Sequence, residues 1–321
     1  MCDLTNPIFT DETKARAFLE KQRWPDGAVC PFCGKREPVR EFTGKSLGPG
    51  WYHCKECRKK FTVRVGTLYE RSKIPLHKWL LATHLLTSSK KGMSAHQLHR
   101  MLGITYKSAW FMTHRIREGM REGDDGYSAS GSGIGGKNRV VEADETYIGG
   151  KARNRAYRQP RKKEAVMSLV ERGGKVRSAH VANVTAKNVR LAIVTVADRD
   201  SYLMTDQAKV YTELGREFAG HGTVNHSIDE YVRGGFWHTN TIENYFSILK
   251  RGVNGIYHHV SEAHLKRYLA EFDFRHNHRS GLGFSDAERA VAALKGIEGK
   301  RLTYRRTNEA GHDQAESQAP F

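Results

Sequence analysis

At 321 residues the chain is longer than one average domain, so a small module beside a larger one is the first expectation. Lys and Arg number 53 against 35 Asp and Glu, a formal net charge of +18 that favours a polyanionic partner such as nucleic acid. The most apolar stretch, WLLATHLL at 79–86, is too short to span a bilayer, and MCDLTNPIFTDE has neither the basic n-region nor the apolar h-region of a secretory signal. With five cysteines and no export signal, a disulfide framework is not expected; a cytoplasmic, nucleoid-associated protein with no membrane partner is.

The N-terminal piece, residues 1–25, holds a short helix over 10–19 with Thr10 or Asp11 as N-cap and acids in its first turn. Residues 26–72 carry Cys30-Pro-Phe-Cys33 and Cys54-Lys-Glu-Cys57. Two C-x2-C pairs suit tetrahedral zinc, and four thiolates leave no open coordination position, so the metal is structural. Strands at Trp51–His53 and Phe61–Val63 would wrap it, with strand alternation running on through KKFTVRVGTLY. The flanking Arg36, Arg40, Lys55, Arg58, Lys59 and Lys60 suit a DNA-contacting module or, equally, a solvated face.

Residues 73–122 have helical periodicity, and their second half has the form of a helix-turn-helix. One helix carries Ala95, Leu98 and Leu102; Gly103 turns the chain; a second helix from about Thr105 buries Ala109, Met112 and Ile116. That second helix would present Tyr106, Lys107, Trp110, His114 and Arg117 outward, towards phosphates and a groove. An ordinary helical hairpin with solvated charges fits the same pattern.

Residues 123–138, GDDGYSASGSGIGGKN, read as a linker. The block 139–300 begins with strands over Val140–Ile148, Ala165–Arg172 and Val176–Val184, with Gly173-Gly174 as a hairpin turn. A helix over Ala186–Ala197, a strand over Tyr202–Thr205 and a helix from Asp206 to Leu214 follow. After a short strand near Thr223–His226 come a helix opening around Glu243 and another over Glu262–Arg275; the polar tail 301–321 is expected to be disordered. The fold class is α/β within a multi-domain α+β chain.

Alternation puts Glu142 and Asp144 on one face of the first strand of this block and Glu145 on the other. Asp206 follows YLMT at a strand end, and Glu243 precedes Lys250 by two turns on one helical face. Edge exposure or helix capping accounts for any one of these acids alone. Three gathered in so basic a chain call for a divalent cation. Downstream, Lys250, Arg251, His258, His259, Lys266, Arg267, Arg275, His276, His278 and Arg279, with Tyr257 and Tyr268, form a basic cluster suited to backbone phosphates.

The CPFCG knuckle, the ADETYIGGK strand and the block HTNTIENYFSILKRGVNGIYHHVSEAHLKRYLAEFDFRHNHR together resemble the DDE transposases of bacterial insertion sequences, in the group with an N-terminal zinc ribbon and a ribonuclease H-like mixed-sheet core. The resemblance covers nearly the whole chain. It implies that Asp144, Asp206 and Glu243 are the catalytic, metal-binding acids, with Asn240 and Asn244 as neighbouring donors because relatives vary at the third position. It further implies Mg2+ or Mn2+, two ions about 4 Å apart serving an in-line displacement at phosphorus by water or a 3′-hydroxyl. The partners implied are double-stranded DNA at element ends and target, held by Lys250, Arg251, His259, Lys107 and Arg117, and a second copy of the chain. Two other readings are a non-enzymatic zinc-ribbon DNA-binding regulator, which leaves the acids unexplained, and a ribonuclease H-like nuclease without strand transfer.

Overall fold

Asp11 starts the first helix, its carboxylate accepting the N–H groups of Thr13 and Lys14 at 2.7 and 2.9 Å. This helix, α1 (Glu12–Arg23), opens a computed structural model that describes residues 4–42, 44, 47–122, 133–149, 163–206, 211, 213–224 and 238–303. The chain divides into one unit of Met1–Ser89, Ala95–Met120 and Ser285–Phe321 and another of Lys90–Ser94 and Arg121–Phe284. Among the described residues no helix is long and apolar enough to cross a membrane. Most of the expected linker, 123–132, and of the tail, 304–321, lies outside the described residues, as does most of the helix expected from Asp206 to Leu214.

In the first unit, β1 (Val39–Glu41), β2 (Tyr52–Cys54) and β3 (Lys60–Phe61) form an antiparallel sheet in that order. The strand expected to run to Tyr69 stops at Phe61. Beyond it the backbone closes into successive turns, with Val65 N–H donating to the Thr62 carbonyl and Thr67 N–H to that of Arg64, so Val63, Leu68 and Tyr69 are all buried instead of alternating. Then come α2 (Leu76–Ser88), α3 (Ala95–Leu102) and α4 (Tyr106–Met120), with Gly103 at φ +59° turning α3 into α4. Ala109, Met112 and Ile116 are buried as expected.

Two expectations for this region fail. His114 and Arg117, read as outward-facing, are 1% and 2% exposed, because α4 packs against α2, α3 and a helix from the far end of the chain. That helix, α8 (Asp286–Lys295), begins at a Ser285–Glu288 capping box and packs on α1, α2 and α4. Residues from Ser285 onward therefore belong to the first unit, not to the block ending at 300. Gly119 and Gly296 let the two backbones meet there: a Cβ on Gly296 would lie 2.1 Å from the Gly119 carbonyl oxygen.

The second unit is built on β4 (Val140–Ile148), β5 (Glu164–Glu171), β6 (Val176–Val181), β7 (Tyr202–Asp206) and β8 (Gly220–Val224). Their order is β6-β5-β4-β7-β8: the first three pair antiparallel, and β7 and β8 run parallel to β4. The expected mixed sheet is therefore present. Gly173, at φ +71°, makes the β5–β6 hairpin turn. Helix α5 (Ala186–Val196) contributes Val189, Ala192, Ile193 and Val196 to a core with Val141, Ala143, Leu169 and Leu203. Helices α6 (Asn240–Gly252) and α7 (Glu262–Asn277) pack on the opposite face, where Ile242, Phe246, Leu249 and Phe272 join Ile148, Val166 and Val170.

Candidate active site

The pleat of β4 sends odd-numbered side chains to the α5 core and even-numbered ones to the α6 face. Asp144 is therefore on the α6 face. Strand β7 pairs parallel with β4, Val140 opposite Tyr202 and Glu142 opposite Met204; two residues further along each strand, at the same offset, stand Asp144 and Asp206. Asp206 is the last residue of β7. Glu243 is in the first turn of α6, where the Thr239 hydroxyl donates to its Oε1 at 3.1 Å.

Asp144 lies in the field of the other two acids. The Asp144 carboxyl is pushed up to about 7, chiefly by burial and further by the negative charges of Glu145, Asp206 and Glu243. The Glu145 N–H, donated to Asp144 Oδ1 at 2.7 Å, pulls the other way. Glu145 itself points to the α5 face and accepts the hydroxyl of the buried Tyr211. Beside Asp144 opens a cleft of about 710 Å³ lined by Asp144, Glu145, Thr146, Glu243, Phe246, Ser247, Lys250, Arg251, Asn254 and Gly255. Three acids, Asp144, Glu145 and Glu243, and two exposed cations, Lys250 and Arg251, share this lining. Asp206 is not part of that lining, although its charge reaches Asp144. Asn240 and Asn244 are exposed and outside it as well.

Carboxylates are the donors a hard divalent cation takes, and Asp144 is raised by burial and by the charges of Glu145, Asp206 and Glu243, although the oxygens of Asp144, Asp206 and Glu243 are not gathered within 4.8 Å of one another. Of the basic cluster, Lys250 and Arg251 line the cleft, and Arg251 Nε donates to Ser247 Oγ at 3.1 Å. His259 is exposed but lies outside the lining. Arg275 is a correction: at 6% exposure it is buried in an ion pair with Glu271 on α7, so it is not available to a phosphate. Lys107, in the first turn of α4, is exposed.

Glu142 went unassigned in the sequence reading. It is fully buried and accepts hydrogen bonds from the start of α6 and from Arg172. Its parity with Asp144 was legible, but its partners, which lie 30 and 99–100 residues downstream, were not.

The ribbon's cysteines converge. Cys30 and Cys57 sulfurs lie 3.5 Å apart, those of Cys33 and Cys54 3.7 Å, and all four ligand atoms fall within 4.8 Å of one another. A tetrahedron of 2.3 Å Zn–S bonds has edges of about 3.8 Å, so the set fits a structural zinc site. The Cys57 N–H donates to Cys54 and draws its thiol down to about 7, towards the thiolate a metal needs.

Two family models match the chain: an ISXO2-like transposase domain over residues 134–277 and a transposase zinc-ribbon domain over residues 10–60. An uncharacterized protein in transposable element ISH50 of Halobacterium salinarum is 28% identical over 289 residues, which cover 83% of this chain and 91% of that protein. The solved structure of a pre-cleavage Mos1 transpososome matches at a TM-score of 0.21 and 10% identity, over 69% of this chain and 79% of its own; a likeness that slight carries no weight here.

Proposed function

This chain belongs to the ISXO2-like transposases that carry an N-terminal zinc ribbon, and we propose that Asp144, Asp206 and Glu243 form the divalent-metal site at which it cuts the ends of an insertion sequence and joins them to target DNA. The supporting observation is the crowding of acids around Asp144, raised by burial and by Glu145, Asp206 and Glu243 in a chain of net charge +18. Such crowding is costly without a counter-ion. Bound to these carboxylates, Mg2+ or Mn2+ would ease deprotonation of water or a 3′-hydroxyl and take up charge on the leaving oxygen.

The protein's own groups do the rest. Thr239 orients the Glu243 carboxylate through its hydroxyl. Lys250 and Arg251, in the lining of the cleft, hold the phosphates flanking the scissile bond, with Ser247 and Asn254 offering hydrogen bonds beside them. Lys107, at the start of α4, is an additional phosphate contact; Arg117, being buried, is not. No side chain is required as a nucleophile. Joining two element ends needs at least two copies of the chain in the reacting complex.

The test is a labelled element-end duplex incubated with Mg2+ and the variants Asp144→Ala, Asp206→Ala and Glu243→Gln. Each should bind the duplex like the parent but neither nick it nor transfer a strand. Cleavage at the parent rate by Asp144→Ala and Asp206→Ala would refute the assignment. Cleavage without any strand transfer by the parent would mark a nuclease instead.

A further inference from the structure

We infer that Glu142 is the positioning residue of this site: its carboxylate clamps the first turn of α6, and with it Glu243, against the strand that bears Asp144. The inference rests on the reading of Asp144, Asp206 and Glu243 as the metal-binding acids.

Helix α6 begins without a cap of its own. Thr239 occupies the N-cap position, makes no side-chain capping bond, and turns its hydroxyl to Glu243 instead. The first-turn N–H groups of any helix need acceptors, and a buried helix start cannot leave them to water. Glu142 is that acceptor. Its Oε2 takes the N–H groups of Thr241 and Ile242 at 2.8 and 2.9 Å, and its Oε1 takes the Thr241 hydroxyl at 2.9 Å and Arg172 Nε at 2.6 Å. The other end of Arg172 donates to the His238 carbonyl at 2.7 Å, so the approach to α6 is tied to the same carboxylate. A negative charge at a helix N-terminus is favoured by the helix dipole as well.

Two consequences follow. Each oxygen of Glu142 already receives two donors, so no lone pair remains for a metal and Glu142 is not a fourth ligand despite sharing Asp144's face. Further, β4 and α6 are separated by some ninety residues of chain, so these bonds are the short route by which Asp144 and Glu243 are held in register. Asp144 stands two positions after Glu142, and Glu243 stands one and two positions after Ile242 and Thr241, whose amides Glu142 holds.

The test uses the full-length protein and reads Mn2+ binding by electron paramagnetic resonance alongside end cleavage. Glu142→Gln keeps the shape but presents an NH2 group to donors, and should weaken Mn2+ binding and slow cleavage by roughly 10–100-fold each, as loss of an outer partner to metal ligands does. High Mn2+ should partly restore cleavage, and duplex affinity should be unchanged. Thr241→Val, which deletes one of the four bonds, should lose less in the same direction. Parent-like Mn2+ affinity in folded Glu142→Gln overturns the inference, whatever happens to its melting temperature. If Glu142→Gln does not fold, parent-like Mn2+ affinity in Thr241→Val overturns it. Asp144→Asn and Glu243→Gln separate the two failures: if they lose Mn2+ while Glu142→Gln keeps it, only the positioning role falls; if they bind and cleave like the parent, the site itself is misassigned.

Discussion

Removing zinc from the full-length protein should unfold the ribbon while leaving the mixed sheet intact. The ribbon's ladder comprises strands of three, three and two residues, below the size at which a small sheet holds itself together in water. Its side-chain support is an aromatic trio: Trp24 stands edge-on to Tyr52 and Phe61 at 5.3 and 5.9 Å, and Tyr52 stacks on Phe61 at 5.8 Å. Three such pairs, at about 0.5–1.5 kcal/mol each, contribute a few kcal/mol. A structural zinc contributes on the order of 10–16 kcal/mol, several times as much. At about 1.4 kcal/mol per tenfold, its loss shifts the local folding equilibrium by roughly seven to eleven powers of ten.

Hydrogen exchange read by mass spectrometry locates the effect. After chelation, or in Cys54→Ser, the amides of Tyr52–Cys54 and Phe61 should exchange like those of an unstructured peptide. Those of β4 and β5, whose ladder spans eight paired residues, should keep their protection. Zinc-free protein, verified by elemental analysis, that still protects Tyr52–Cys54 would refute the argument, because the aromatic trio would then suffice alone.

Exposure separates two arginine and lysine substitutions on α4. Lys107→Ala should leave the melting temperature unchanged and lower the salt dependence of duplex binding by about one unit of slope. Arg117→Ala, at a side chain 2% exposed and bonded to the Thr113 hydroxyl, should instead destabilise the first unit by roughly 1–3 kcal/mol in denaturant titration. Lys250→Ala with Arg251→Ala should lower that slope by about two units at equal Tm, and an unchanged slope would remove them from the DNA path. Gly296→Ala should cost about 1–3 kcal/mol and more than Gly119→Ala, since the first drives a Cβ into a carbonyl oxygen and the second meets the Ile297 side chain at 3.1 Å. Asp273→Ala should cost about 3 kcal/mol, because that carboxylate accepts the Ser178 N–H and hydroxyl at 2.7 Å and the Tyr245 hydroxyl at 2.5 Å, all in a buried setting.

What the sequence disclosed was local. Strand β4 was legible to the residue, since β-branched alternation runs from Val140 until a Gly-Gly pair ends it, and α1 was legible because Asp11 caps it. Cysteine spacing disclosed the ribbon for the same reason: its ligands pair at short range. The outer face of α4 was not legible. Ala109, Met112 and Ile116 mark one buried stripe, but His114 and Arg117 are buried too, on a helix that packs on α2, α3 and, from more than 160 residues away, α8. Helix α8 was not expected at all: its Ser285–Glu288 capping box marks a helix start, yet nothing in it tells which unit the helix joins.

The hardest distinction was between two acids of the same strand face. Glu142 and Asp144 are one pleat apart, and no periodicity, propensity or charge count tells them apart. The donors that the fold delivers do. Around Glu142 it brings two helix amides, a hydroxyl and a guanidinium, which satisfy the carboxylate and make it a tie between elements. Around Asp144 it brings burial first and then the charges of other acids, which together raise the carboxyl to about 7. An acid becomes a site or a strut according to neighbours that arrive only with tertiary structure, so the same two letters in the sequence carry opposite chemistry in the folded chain.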